Sequence, residues 1–382
     1  MPLSARARSI QPSMIRGLRD RANPTSLDLG LGQTDLPVAP EAVQAIVDGL
    51  GEDPRAPYCP NLGTAHAREA VAQRYGCDPS RVMITCGVQE ALAVALLGLI
   101  SAGDEVLIPE PAFPAYPNLV RMAQGVPVSV PLDSQDHWRL HADAVERAIT
   151  PRTRAILLNS PSNPTGAVMS RADLEAVLQV CARHDVAWIS DDIYEDYVYD
   201  DQLHHSPADF PEHRDRGLRL SGMSKSHHMM GWRLGWMTGP PEVIEGLKPL
   251  HQHLVTSAST LSQRGACAAL AHHARVVGHA VEVFEGRRAI AQEAAALIPD
   301  VRFWPGQGAF YLFLDARAYM PAMGSSMALA LHILEDVDVI TIPGEGFGLG
   351  GQGHLRLAYT ASQEVLSRAM DRLIDCFQRL GR

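Results

Sequence analysis

From Arg81 onward the chain alternates short apolar runs with helical segments, and this alternation restricts the fold more than any other feature. The strand-like runs are Val82–Cys86, Glu105–Pro109, Val126–Val130, Ala155–Asn159, Ala187–Asp191, Leu218–Gly222 and Leu234–Thr238. Most are almost continuous in apolar residues, as strands covered on both faces must be. Helical segments such as Glu90–Ile100 and Leu174–His184 lie between them. The pattern predicts an α/β fold: three layers, α/β/α, around a mostly parallel seven-stranded sheet.

At 382 residues the chain exceeds the ~250–300 that one core organises, so a second domain is expected. Strands near Phe310–Leu314, Val339–Ile342 and Leu355–Ala358 predict a smaller α+β unit, reached through a helical region that includes Val281–Ile298. We expect a large domain at 45–280 and a small one built from both ends, 1–44 and 281–382. Residues 1 to about 24 read as a polar arm, Leu27–Pro37 as a short strand breaking into a loop, and Pro40–Leu50 as a helix. A further helix should stop at Gly76.

Open parallel sheets bind ligands at the carboxyl ends of their strands. The polar residues of this chain collect there. Cys86-Gly87-Val88-Gln89 opens a helix after the first run, and Pro111–Tyr116 follows the second. Asn159–Gly166 follows the fourth, Asp191–Tyr194 the fifth, and the Lys225 loop the sixth. One pocket should gather all five.

Lys225 is one of only two lysines, Lys248 being the other. An amine can lose its proton and attack a carbonyl, whereas a guanidinium stays charged. Burial, or a cation such as Arg233, would lower its pKa and make it nucleophilic. An ordinary surface lysine in a Ser/Gly loop fits the same residues, and Lys225 alone leaves both readings open.

Four motifs occur in order: NPTG (Asn163–Gly166), DDIY (Asp191–Tyr194), Ser224-Lys225 followed by Arg233, and the late arginine of HLRLAY (His354–Tyr359). Together they resemble the class I/II pyridoxal-phosphate-dependent aminotransferases of fold type I, from about Leu27 to the C-terminus. The resemblance implies that Lys225 carries pyridoxal phosphate as a Schiff base and moves the proton at the substrate's Cα. Asp191 would keep the pyridine nitrogen protonated, while Tyr194 and Asn163 would hydrogen-bond the phenolic oxygen. Phosphate would sit at the helix opening at Val88 and Gln89, with Ser224 and Arg233. Phe113 would stack on the ring. Arg356, with the Gly32 backbone nearby, would hold the substrate α-carboxylate. Tyr58 would reach the phosphate site of a second subunit, implying a homodimer with shared sites. Asp192 reads as structural.

The implied activity is transfer of an amino group from an L-amino acid to a 2-oxo acid. Neutral Gln89 stands where some dicarboxylate-preferring relatives carry a lysine, which favours a neutral donor: aromatic, aliphatic or sulfur-containing. The alternatives are a β- or γ-eliminating lyase or synthase of the same fold and a non-enzymatic pyridoxal-phosphate-binding protein. His228 and Thr34 depart from the family pattern.

Net charge is −10 with no basic stripe, arguing against nucleic acid and anionic membranes as partners. Six scattered cysteines without a CxxC pair read as reduced thiols, and the N-terminus lacks an apolar leader, so cytoplasm is expected. No metal site is expected, since His227-His228 lacks a third ligand. Gly346, Gly348 and Gly351 fit GxGxxG by spacing, but a strand should follow, which excludes a dinucleotide site.

Overall fold

The computed structural model describes residues 1–10 and 14–381. All seven runs form strands of one sheet: β2 (Val82–Thr85), β3 (Glu105–Glu110), β4 (Val126–Pro131), β5 (Thr153–Asn159), β6 (Ala187–Asp191), β7 (Gly217–Gly222) and β8 (Gly235–Thr238). Their order is β2-β8-β7-β6-β5-β3-β4, and only β8 runs antiparallel to its neighbours. Leu157 belongs to the apolar cluster that includes the helix Val88–Leu99, while Leu158, the next residue, belongs to a separate one with Leu174 and Val177 of the helix Arg171–Arg183. Both faces of β5 are therefore apolar, which explains why the run does not alternate.

Local chemistry sets the helix ends. Thr64 accepts a hydrogen bond from the Ala67 amide to open Ala65–Tyr75, and Gly76 closes it at φ +59°. Pro40 opens the helix Pro40–Glu52. The long helical region is two helices, Thr260–Ala271 and His273–Ala295, and the second ends three residues before the expected Ile298.

A second, antiparallel sheet holds β9 (Arg302–Phe303), β10 (Tyr311–Asp315), β12 (Ile342–Pro343) and β13 (His354–Ala358). The expected single strand Val339–Ile342 is two pieces. β11 (Val339–Ile340) pairs in parallel with β1 (Leu27–Asp28), and the chain crosses at buried Thr341 to pair β12 with β13. Burial of both pieces, and of Thr341 between them, hides such a change of sheet. The β1–β11 pairing ties the two chain ends together and supports the division into 45–280 and 1–44 plus 281–382, which we propose for this chain. That boundary falls inside the helix His273–Ala295.

The expected N-terminal arm includes two short helices, Ala5–Ser9 and Met14–Arg19, with Leu18 buried; its residues 11–13 lie outside the described residues. All six cysteines are unpaired thiols. No helix among the described residues is long and apolar enough to cross a membrane.

Candidate active site

The ends of β5, β6 and β7 meet the loop after β1 and the strand β13 at a cavity of about 310 Å³. Asp28 shapes that first loop: its Oδ1 accepts from the amides of Gly30 and Leu31 (2.8 and 3.1 Å), turning the chain out of β1 toward Gly32. Lys225 Nζ donates to the Gly32 carbonyl at 2.7 Å. Burial first, then the nearby positive charge of Arg356, pulls the amine down to about 8, with Asp191 opposing them. At neutral pH roughly a tenth of such amines are free to attack, against well under 0.1% at the ordinary value.

Asp191 closes β6. Its Oδ2 accepts from the Tyr116 hydroxyl at 2.8 Å, and its Oδ1 from the Ile193 amide at 3.3 Å. Burial pushes this carboxyl up to about 6 against those two hydrogen bonds, and no cation forms an ion pair with it among the described residues. A buried acid facing a cavity without a cation is suited to a ligand that brings one. Asp192 points elsewhere. It lies 3.2 Å from Arg219 Nε and accepts from Ser190 Oγ at 2.5 Å. Burial would raise its pKa, but His204 and Arg219 hold it below the ordinary range. The second aspartate is thus a structural ion pair.

Arg356 is 2% exposed. It donates to Asn163 Oδ1 at 2.9 Å and to the Gly30 carbonyl, while its Nε has no partner. Its guanidinium lies over the rings of Tyr311 (4.4 Å) and Phe347 (5.0 Å), and among the described residues no carboxylate pairs with it. Burial pulls its pKa down. A buried, unpaired guanidinium is costly unless an anion completes it. Tyr194 shares a hydrogen bond of 2.8 Å with Tyr311, hydroxyl to hydroxyl, and burial pushes its pKa well up.

On the opposite wall, Gly87 precedes the helix Val88–Leu99 at φ +84°. A Cβ there would lie 2.7 Å from Arg233 Nη2. Only glycine lets that guanidinium stand beside the helix N-terminus, where free amides and the dipole favour an anion. Arg233 donates to the Met230 carbonyl at 2.9 Å. Ser224, Val88, Gln89 and Phe113 line the same cavity.

Every residue expected at the site therefore reaches one cavity except Tyr58. Tyr58 is 87% exposed, on the loop before Ala65–Tyr75. It was expected to serve a neighbouring subunit, so its exposure in one chain fits that role without testing it. Two groups escaped the sequence reading. Tyr116, within the Pro111–Tyr116 stretch, binds Asp191, and Tyr311 joins Tyr194 to Arg356; nothing in the pattern of β10 marks Tyr311 as more than core. Among the described residues, neither cluster of possible metal ligands contains His227 or His228. In one of them, Asp192–Glu195–His204, Asp192 is already paired with Arg219. Gly346–Gly351 form 3₁₀ turns leading into the strand β13, as expected.

The family Aminotransferase class I and II matches residues 24–373. The chain belongs to this family. It is 32% identical to aspartate aminotransferase of Geobacillus stearothermophilus over 388 residues, 98% of each chain. It is 33% identical to aromatic-amino-acid aminotransferase 2 of Thermococcus litoralis, covering 98% of this chain and 97% of that one. Among solved structures, aspartate aminotransferase from Thermus thermophilus with maleate superposes with a TM-score of 0.91 at 30% identity, covering 98% of this chain and 100% of that one. The protein is a pyridoxal-phosphate-dependent transaminase with the fold type I architecture. Its cavity fits that cofactor: a buried amine, a buried acid lacking a cation, and a glycine-opened helix terminus with an arginine beside it.

Proposed function

We propose that this pocket transfers the amino group of a neutral L-amino acid to a 2-oxo acid, with the residue roles that follow. When bound, pyridoxal phosphate supplies an electron sink that stabilises negative charge at the substrate's Cα. Lys225 anchors the cofactor and, once released, carries the Cα proton with its lowered basicity. Asp191, held by Tyr116, would pair with the ring nitrogen and keep it protonated. Tyr194 and Asn163 donate to the phenolic oxygen, and Phe113 packs on the ring. Ser224, Arg233 and the helix terminus at Val88 and Gln89 take the phosphate. Arg356, free of any carboxylate and oriented by Asn163 and Gly30, takes the α-carboxylate with Gly32 beside it.

The observation that carries the substrate reading is the set of cations lining the cavity: Lys225, Arg233 and Arg356. Phosphate and α-carboxylate use both arginines, and the lysine is the anchor. A distal carboxylate would find no cation from this chain, whereas Leu31, Phe113, Ile193 and Met230 offer apolar surface. The name of the Thermococcus relative agrees with an aromatic donor; that of the Geobacillus relative points to aspartate. Steady-state kcat/KM for phenylalanine, leucine, methionine and aspartate decides between them. A neutral donor should exceed aspartate at least about tenfold, the effect of ~1.4 kcal/mol of selective binding. A preference for aspartate overturns the substrate reading.

Two further parts of the proposal concern setting. Exposed Tyr58 supports a homodimer in which it completes the partner's phosphate site. Six free thiols support a reducing, cytoplasmic environment.

A further inference from the structure

Tyr311 is fully buried on β10 and touches three parts of the site at once. Its hydroxyl meets the Tyr194 hydroxyl at 2.8 Å. Its ring lies beneath the Arg356 guanidinium at 4.4 Å. The same hydroxyl rests against Gly32, where a Cβ would come within 2.2 Å of it. Tyr311 is therefore the shared neighbour of the groups assigned to the α-carboxylate and to the phenolic oxygen.

Two hydroxyls joined by one hydrogen bond keep one proton free. Among the described residues Tyr311 has no second acceptor, so if it donated nothing to Tyr194 its buried proton would go unmatched. With Tyr311 donating, the Tyr194 proton is free to point into the cavity at an anionic acceptor, and the chain of two hydroxyls polarises that outer donor. The opposite direction would leave Tyr194 without a proton to offer. A carboxylate taken up by Arg356 would act on a guanidinium that already lies against the Tyr311 ring.

We infer that Tyr311 is a positioning residue that fixes the direction of the Tyr194 hydrogen bond and relays carboxylate binding at Arg356 to it. This inference rests on the roles proposed above for Tyr194 and Arg356. It adds a path separate from the direct Arg356–Asn163 contact.

The test is a pH titration of the visible band of the protein loaded with pyridoxal phosphate. Wild type, Tyr311→Phe and Tyr194→Phe are compared with and without saturating 3-phenylpropanoate, a carboxylate with no amine. Tyr311→Phe keeps the ring, so thermal unfolding should be unchanged. Its band midpoint should rise by about 0.5 pH unit, a roughly threefold weakening of the donor, and by less than in Tyr194→Phe. Its response to 3-phenylpropanoate should shrink without vanishing, because Asn163 remains. A shift in Tyr194→Phe with wild-type behaviour in Tyr311→Phe overturns the inference. No shift in Tyr194→Phe overturns it too, and places the failure in the role assigned to Tyr194.

Discussion

Lys225 Nζ and the carbonyl oxygen of Gly32 meet at 2.7 Å across 193 residues of sequence. That contact joins the end of the main sheet to the loop leaving β1, and closes the cavity on its reactive amine. The amine there is buried with no carboxylate hydrogen-bonded to it, which is why it sits near 8 and not near 10.5.

The pH dependence follows from that value. The rate at which cofactor-free protein captures pyridoxal phosphate should rise with pH through about 8 and level off above it. Because the folded value lies below the unfolded one, unfolding takes up a proton between about 8 and 10.5. Stability of the cofactor-free protein should gain a rising contribution across that window, with burial of the charged amine costing stability below it. Chemical denaturation of wild type against Lys225→Met checks this: the variant should lack the rise.

Arg356 should control substrate binding and leave cofactor binding alone. Arg356→Ala should lower kcat/KM for every amino acid by ~2–5 kcal/mol, roughly 30- to 5,000-fold. Arg356→Lys should recover little, since an ammonium cannot reproduce the fork that spans Asn163 and Gly30. Fluorescence titration with pyridoxal phosphate should give nearly unchanged affinity in both variants.

Asp192 and Arg219 predict a loss of a different kind. Both are buried, and Arg219 also donates to Asp209 at 2.5 Å. Arg219→Met leaves the buried Asp192 carboxylate with only His204 and Ser190 and should cost about 3 kcal/mol of stability, the low end for a broken buried pair. Denaturant unfolding measures it. A variant as stable as wild type would remove Asp192 from its structural role.

Much of this was legible in the sequence, and the exceptions have physical causes. Most strands of the main sheet read clearly because both their faces are covered, so apolar residues run nearly unbroken; the edge strand β4 is the exception, and it is partly exposed. Asp191 and Asp192 were separable only through the family motif; in the structure the difference is which side of the β6 end each faces. Tyr116 and Tyr311 were missed because a tyrosine in a buried strand or short helix looks like core until its hydroxyl partner is known. The split of Val339–Ile342 between two sheets was hidden for a similar reason: pairing partners leave no mark on a run that is buried throughout.

Tyr58 carries the shared-site prediction. Tyr58→Phe should weaken cofactor retention several-fold. Mixing Tyr58→Ala with Arg356→Ala subunits should restore part of the activity that each lacks alone, because one of the two hybrid sites is intact. Activity of verified heterodimers measures it, and absence of recovery would confine each site to one chain.

The most direct test of the account uses the scarcity of lysine. The protein loaded with pyridoxal phosphate is reduced with borohydride, digested and mapped by mass spectrometry. The chain has only Lys225 and Lys248, and Lys248 is paired with Glu245 on an exposed helix surface. The account predicts the pyridoxyl group on the Lys225 peptide, with the Lys248 peptide unmodified. Label on Lys248, or equal label on both, would contradict it.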